Sequence, residues 1–521
     1  MQPADLRSAP IEVELKLAID PSAAAALRSH PSVRDAARGP RRTDAMVATY
    51  FDTPDHRLQR AGVALRVRRI GRRHVMTAKG SPVEDAASGV VSRPEYEWPV
   101  RSDAVDTMRL ATTPWAGLFA KALRRGPLAA VFVTRFTRAS WPLAFADGTT
   151  ATLSLDQGEI EARAHRAPIS EVEIELASGD PARLVDLADR LAADLPLSIE
   201  PRSKAERGYT LASGERVPPS RACDIDLDRG AGAGEAIAAT MVECLRQIER
   251  NAVGLRDEGT RDTEWIHQLR IGVRRLRSCL SLAGDLASGD LVDRLRADTR
   301  WALDALGPAR DLDVFCGETL PAAIADLERA SGATTPLANE LRALARRAAT
   351  QRRRADAAAL ACVASSRFTR FVLATSQAAG TMRAAEKAGE PAQRYAARVL
   401  ERRAGRIARA GAGLARAGTD ERHAVRIAAK KLRYATEFFA ALFPRKRTRA
   451  YRDALADLQE ILGEWNDAAV APRIAATLAG PVSPAAVAIE AWSAGRAGDT
   501  GERLDAAWSR FVAAKPFWIR T

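Results

Sequence analysis

The sequence predicts a two-domain α+β chain, with an antiparallel β domain first and an all-α domain after it. Three observations predict this. Early runs such as "IEVELKLAI" (11–19) alternate charged and aliphatic residues with period two, which places the two kinds on opposite faces of a strand. Near 212–226 the texture changes to long Ala-, Leu- and Arg-rich helical patterns such as "PLANELRALARRAATQRRRADAAALACV". Within that second half two motifs recur at one fixed offset.

The strands carry an unusual polar row. Glu12, Glu14 and Lys16 share one face of the first run, opposite Val13, Leu15 and Leu17. Glu171, Glu173 and Glu175 alternate with Val172, Ile174 and Leu176, whereas Arg66 and Arg68 alternate with Leu65 and Val67. Lys79 ends a further alternating run, and Glu95 and Glu97 align in "RPEYEWPV". An ordinary antiparallel sheet with one wet face accounts for any one of these strands. Repetition of the device, acidic in some strands and basic in others, predicts a closed polar interior. Carboxylates there suit a hard divalent ion such as Mg²⁺ or Mn²⁺, and Arg and Lys suit phosphate. "DPARLVDLADRLAADL" (180–195) reads as an amphipathic helix within this half, and "SGERVPPSRACD" reads as the linker. The predicted division is 1–212, a linker over 213–225, and 226–521.

In the second half, "HQLRIGVRRLRSCLSLA" begins at His267 and "HAVRIAAKKLRYATEFF" at His423, while "LGPARDLDV" begins at Leu306 and "LGEWNDAAV" at Leu462. Both pairs stand 156 residues apart (423 − 267 and 462 − 306), which predicts a duplicated, pseudosymmetric helical bundle. At about 100° per residue, His267, Arg270, Arg274 and Arg277 fall within a stripe about 80° wide. His423, Arg426, Lys430 and Arg433 form the equivalent stripe. Leu269, Val273, Leu276 and Leu280 should face the core. The copies differ where Arg274 and Arg275 meet Lys430 and Lys431, keeping charge but not bidentate geometry. For His267 and His423, core hydrogen bonding and a place in a site both stay open, their shared position in the two repeats weighing for the second. Asp311 and Asp467 also match at the offset and read as caps or arginine partners.

A net charge of +14 in 521 residues implies an anionic partner. Aromatic residues make up only 5%, which serves base stacking poorly and disfavours nucleic acid. The five cysteines are odd in number and lack C-x-x-C spacing, so neither a disulfide framework nor a zinc site is expected. The opening residues show no apolar signal region, and no run reaches a membrane span. A cytoplasmic location follows. No P-loop, dinucleotide turn or G-x-S-x-G motif is present. The tract "RRAATQRRRAD" reads as a solvated helix face, and His30, His56, His74 and His165 as surface residues.

The first half resembles the CYTH family of triphosphate tunnel metalloenzymes over about 8–212. The resemblance rests on Glu-x-Glu-x-Lys at 12–16, "YFDTPDHRL" (50–58), "LRVRR" (65–69), "LDQGEI" (155–160), "EVEIEL" (171–176) and "SKAERGY" (203–209). It implies an antiparallel β tunnel with flanking helices and metal-dependent cleavage of inorganic tripolyphosphate to pyrophosphate and phosphate. Glu12, Glu14 and Lys16 would be catalytic, and Glu12, Glu14, Glu171 and Glu173 would hold Mg²⁺ or Mn²⁺. Arg66, Arg68, Lys79, Arg138 and Lys204 would bind phosphate, while Asp156 and Glu159 would steer the bases or complete the metal shell. Thiamine triphosphate hydrolysis, cyclic-nucleotide formation and a non-catalytic adaptor remain alternatives at this point. The second half resembles the CHAD domain over about 226–521. That resemblance implies binding of long-chain inorganic polyphosphate by His267, Arg270, Arg274, Arg277, His423, Arg426, Lys430 and Arg433.

Overall fold

A computed structural model describes residues 10–82, 90–284, 286, 289–331, 335–384, 389–411, 413–414, 418–498 and 501–519. The reading of the opening residues falls partly on 1–9, which lie outside the described residues. The chain divides into two compact units, Met1–Pro218 with Ala364–Gln377, and Pro219–Val363 with Ala378–Thr521.

Among the described residues the first unit is built on nine strands: β1 (Ile11–Ile19), β2 (Arg42–Asp52), β3 (Ala64–Ile70), β4 (Arg73–Lys79), β5 (Val91–Val100), β6 (Ala129–Ala144), β7 (Thr150–Ala162), β8 (His165–Ser178) and β9 (Leu197–Ile199). All pairings are antiparallel, in the order β5-β4-β3-β2-β6-β7-β8-β1-β9. On one edge β1 pairs with β8; on the other it pairs first with β5 and then with β9. The β1–β5 pairing closes eight strands into a ring, a size at which side chains fill the interior.

Register sorts the two faces. Directly opposed residues share a face, and the pairs Lys16↔Glu173, Glu171↔Asp156, Asp156↔Arg138, Arg66↔Thr77 and Lys79↔Glu95 run round the ring. The charged row therefore lies inside. The intervening aliphatics point outward and are buried beneath helices. Leu65 and Val67, for example, pack with Leu58 of α3 (Arg57–Arg60), Leu110 of α4 (Thr107–Leu110) and Phe119 of α5 (Ala116–Leu123). The short α1 (Ala24–Ser29) and α2 (Pro31–Ala36) and the longer α6 (Ala182–Asp194) belong to the same unit. α6 packs on β1 and β8. His30 is a correction to the sequence reading: it is buried, caps α2 by accepting from Ser32 N at 3.2 Å, and meets Asp194 at 3.1 Å.

One stretch of the interior is apolar. Met46, Ala48, Tyr50, Phe132, Phe136, Ile160 and Ile169 pack round Tyr209 and Ala212 of α7 (Lys204–Ser213). Gly208 is needed at this contact, because a Cβ there would lie 2.1 Å from the Phe132 ring. Fully buried Asp52, from "YFDTPDHRL", accepts from Thr53 N, Leu58 N and Gln59 N and from Tyr209 Oη at 3.0 Å. Two sequence motifs 157 positions apart thus meet to fix α7 against the barrel.

The second unit contains α8 (Ala233–Glu258), α9 (Glu264–Ala283), α10 (Asp290–Val314), α11 (Leu320–Ser331) and α12 (Pro336–Ala364), with α13 (Ser366–Ala384) divided between the units. It continues with α14 (Ala392–Ala410), α15 (Thr419–Phe438), α16 (Arg445–Ala479), α17 (Pro484–Gly498) and α18 (Gly501–Ala513). The duplication is visible as packing: α8 on α9 and α9 on α10, then α14 on α15 and α15 on α16, with α8 against α14 and α9 against α15. Leu269, Val273, Leu276 and Leu280 are fully buried. The tract around Arg352 is not wholly solvated, since Arg352 reaches the buried Asp313 at 2.7 Å; Arg353 and Arg354 are exposed. Among the described residues no single helix is long and apolar enough to cross a membrane.

Candidate active site and anion cavity

Inside the barrel, β7 and β8 place Asp156 and Glu171 opposite one another, with Glu173 two residues on. Carboxylate oxygens of these three residues all lie within 4.8 Å of one another. Asp156 and Glu171 are 0% exposed. Buried carboxylates need counter-charge, and four cations supply it. Lys204, at the start of α7, lies 2.6 Å from Asp156 and 2.8 Å from Glu173 and also pairs with Glu171. Arg138 forks onto Asp156 at 2.7 and 2.6 Å and pairs with Glu173. Arg207 meets Glu171 at 3.2 Å and Lys16 meets Glu173 at 3.7 Å. Burial works against the charged form of Glu173, but Lys204, Arg138 and Lys16 together hold it well below the usual carboxylate range. Burial likewise opposes the Lys204 ammonium, and Asp156, Glu171 and Glu173 raise its pKa in spite of it.

The rest of the row continues round the ring. Lys79 Nζ donates to Glu12 at 2.8 Å and lies 3.3 Å from Glu95. Burial, offset in part by Lys79, raises Glu12. Arg66 lies 3.7 Å from Glu95, Arg68 3.0 Å from Glu97 and Arg93 3.8 Å from Glu14. Neighbouring Arg66 and burial together lower Arg68 to about 10.

The barrel interior thus gathers Glu12, Glu14, Lys16, Arg66, Arg68, Lys79, Arg138, Glu171, Glu173 and Lys204. Three placements refine or correct the sequence reading. Of the two residues offered to complete the metal shell, Asp156 joins Glu171 and Glu173 closely enough to share one ion, whereas Glu12 and Glu14, expected among the ligands, continue the acidic row along β1. Glu159 faces away from Asp156 and pairs with exposed Arg166 at 3.0 Å, so it is not an interior residue. Arg207, not singled out in the sequence, also belongs to the acid cluster through Glu171. Arg93 was missed, although its parity with Glu95 and Glu97 in "SRPEYEWPV" was a usable signal. The donor set of three carboxylates fits a hard divalent cation, because all its ligand atoms are oxygen.

In the helical unit a cavity of about 370 Å³ is lined from both copies of the repeat. His267, Arg270 and Arg274 come from α9, and His423, Arg426 and Lys430 from α15. Arg310 and Asp311 of α10 and Asp467 and Arg473 of α16 complete its polar wall. Arg270 Nη1 donates to Asp311 at 3.1 Å. Burial and then Arg426, Arg274 and Arg270 depress Lys430 to about 7. Burial and Arg270 bring Arg274 to about 10, and burial and Arg310 lower His267. Arg277 and Arg433 do not line this cavity; both are exposed, and Arg433 pairs with Glu437 at 2.7 Å. Each sits at one edge of its stripe, about 80° round the helix from the histidine. Arg310 was detectable as the neighbour of the repeated Asp311. Arg473 carried no sequence signal.

These features define a closed β tunnel with a charged interior, joined in one chain to a duplicated helical module with a cationic cavity. The CYTH domain family matches residues 10–209 and the CHAD domain family matches residues 239–476, and the chain belongs to both. An inorganic triphosphatase of Haemophilus influenzae is 32% identical over 203 residues, covering 39% of this chain and 55% of that protein. The chain thus spans about half the length of this curated relative. The crystal structure of the CHAD domain from the plant Ricinus communis matches at 31% identity, over 57% of this chain and 98% of that one, with a TM-score of 0.50.

Proposed function

We propose that the barrel hydrolyses inorganic tripolyphosphate to pyrophosphate and phosphate with Mg²⁺ or Mn²⁺, and that the helical unit binds long-chain inorganic polyphosphate without cleaving it. The observation that carries the first part is a carboxylate cluster enclosed with four cations in one barrel interior. The similarity to an inorganic triphosphatase supports it.

Asp156, Glu171 and Glu173 would hold the ion, which when bound supplies a Lewis acid and lowers the pKa of a water molecule. Arg66, Arg68, Lys79, Arg138 and Lys204 would exchange their present carboxylate partners for phosphoryl oxygens. They would then stabilise the charge that spreads over those oxygens in the transition state. Lys16 touches both the acid cluster, at 3.7 Å, and the backbone oxygen of Arg202, at 3.3 Å, which suits it to fix one end of the substrate. Glu12 and Glu14 would orient the attacking water. Glu12 is suited to accept its proton because burial raises its proton affinity.

The cavity between α9 and α15 offers the polyphosphate site, because it concentrates arginine and lysine side chains from both repeats. Its two aspartates belong to separate repeats, and no carboxylate cluster of the barrel's kind accompanies them among the described residues. A cytoplasmic location belongs to the same reading, supported by five free cysteines.

The test is phosphate release from tripolyphosphate, long-chain polyphosphate, ATP and thiamine triphosphate with Mg²⁺ or Mn²⁺. Tripolyphosphate should be turned over fastest. Full activity in excess EDTA, or faster release from an organic triphosphate, would overturn the assignment.

A further inference from the structure

We propose that the Lys204 ammonium is an internal counter-ion that keeps the Asp156–Glu171–Glu173 cluster closed to a divalent ion until a triphosphate draws it away. Metal is then taken up with the substrate and not ahead of it. This inference rests on the reading of the barrel as a metal-dependent triphosphatase.

Lys204 Nζ contacts all three carboxylates, at 2.6 Å from Asp156, at 2.8 Å from Glu173 and as an ion pair with Glu171. Those are the oxygens an ion would need, one from each residue and all within 4.8 Å of one another. Lys204 is only 5% exposed, so water does not screen it from the cluster. Its place in the fold is otherwise unfavourable. It is the first residue of α7, where the helix dipole disfavours a cation. Ser203 caps the helix by accepting from Glu206 N at 3.0 Å, so the backbone is anchored while the four-carbon stem of the lysine can swing.

Arg138 is not equivalent. Its fork is committed to Asp156 through two hydrogen bonds, and it reaches two of the three acids. With Lys204, Arg138, Arg207 and Lys16 all facing three carboxylates, a dication entering alone would meet a site already compensated. A polyanion entering beside it supplies new partners for the displaced ammonium.

The test is equilibrium dialysis of the full chain against Mn²⁺ in phosphate-free buffer, with and without a non-hydrolysable imido analogue of tripolyphosphate. Mn²⁺ held by the analogue alone is subtracted. The wild type should bind Mn²⁺ weakly, and K204M should bind it about tenfold or more tightly because a nearby buried charge is removed. K204R should stay weak, and K204M/E173Q should lose the gain. The analogue should tighten Mn²⁺ binding by the wild type but not further by K204M. Circular dichroism establishes that the variants fold; should K204M not fold, the wild-type comparison with and without analogue decides alone. Wild-type affinity equal to that of K204M, or indifferent to the analogue, overturns the inference. If metal-dependent phosphate release persists alongside such indifference, only this inference falls and the proposed activity stands.

Discussion

Asp156 receives both arms of one guanidinium: Arg138 Nε donates at 2.7 Å to one carboxylate oxygen and Nη2 at 2.6 Å to the other, with Asp156 fully buried. A paired buried charge is costly to orphan, although Lys204 would remain beside it at 2.6 Å. Arg138→Ala should therefore lower the unfolding free energy by about 1–3 kcal/mol, less than the loss from a wholly orphaned buried charge. The double variant Arg138→Gln with Asp156→Asn should recover part of that loss. Urea denaturation of the full chain measures both. A double variant less stable than either single one would show that the pair is not the source.

Glu171 and Glu175 lie on the same strand and face, yet only Glu171 belongs to the acid cluster. Glu171→Gln should lower tripolyphosphate turnover by about 100-fold or more, as expected for a group that places transition-state charge. Glu175→Gln should change it by no more than about threefold. Steady-state kinetics at saturating Mg²⁺ or Mn²⁺ separates them, and similar losses at both positions would remove the special role of the cluster.

Most of this site is legible in the strand period alone. Glu12, Glu14, Lys16, Arg66, Arg68, Glu171 and Glu173 can be picked out because alternation fixes which face each shares, and a one-residue slip would expose the aliphatic row. Closure is less legible. Nothing in "IEVELKLAI" states that β1 pairs with β8 on one edge and with β5 on the other. Register between distant strands is a property of the folded barrel, and with it comes the entry of Asp156 into the cluster. The same limit explains Glu159, whose motif "LDQGEI" spans both faces of β7. In the helical unit the repeat offset places α9 and α15 correctly. The inward limit of each cationic stripe depends on how the helices pack, so Arg277 and Arg433 fall outside the cavity.

Lys79 holds two partly buried carboxylates, Glu12 at 2.8 Å and Glu95 at 3.3 Å. Removing it as Lys79→Met should raise Glu12 further, since burial already pushes that carboxyl up and Lys79 is the chief opposing influence. A carboxyl whose folded pKa lies above its unfolded value costs stability as pH rises through the folded pKa. The variant should therefore be destabilised more at pH 8 than at pH 5. Adding Glu12→Gln should flatten that difference. Thermal melts at the two pH values check it, and equal losses at both would contradict the assignment.

Lys430 titrates near neutrality because burial and the cations Arg426, Arg274 and Arg270 oppose its charge, with Asp467 favouring it. An anion in the cavity stabilises the protonated form. Below about pH 7 the ammonium is present and binding is favoured; above it, binding must also draw a proton. Polyphosphate affinity of the full chain should fall between pH 6 and pH 8 more steeply for wild type than for Lys430→Met. Calorimetry in buffers of different ionisation enthalpy should detect proton uptake at pH 8, and its absence would place the anion elsewhere.

The helical unit should lose polyphosphate when one wall of the cavity is reversed in sign. Arg270 and Arg274 both line it, so Arg270→Glu with Arg274→Glu inserts two like charges against the polyanion. Arg353 and Arg354 are the appropriate control, being exposed residues of α12 that do not line the cavity, whereas Arg352 is tied to buried Asp313 at 2.7 Å. The cavity pair should weaken binding by about 100-fold and the control pair by less than about fivefold, since screened surface charge contributes little at a distance. Affinity of the wild type should also fall with salt as ion pairs replace condensed counterions. A titration with long-chain polyphosphate, repeated with DNA of matched charge, distinguishes a shaped site from a basic surface. Equal losses for the two arginine pairs, or tighter binding to DNA, would assign the interaction to net charge alone and not to the cavity that α9 and α15 build together.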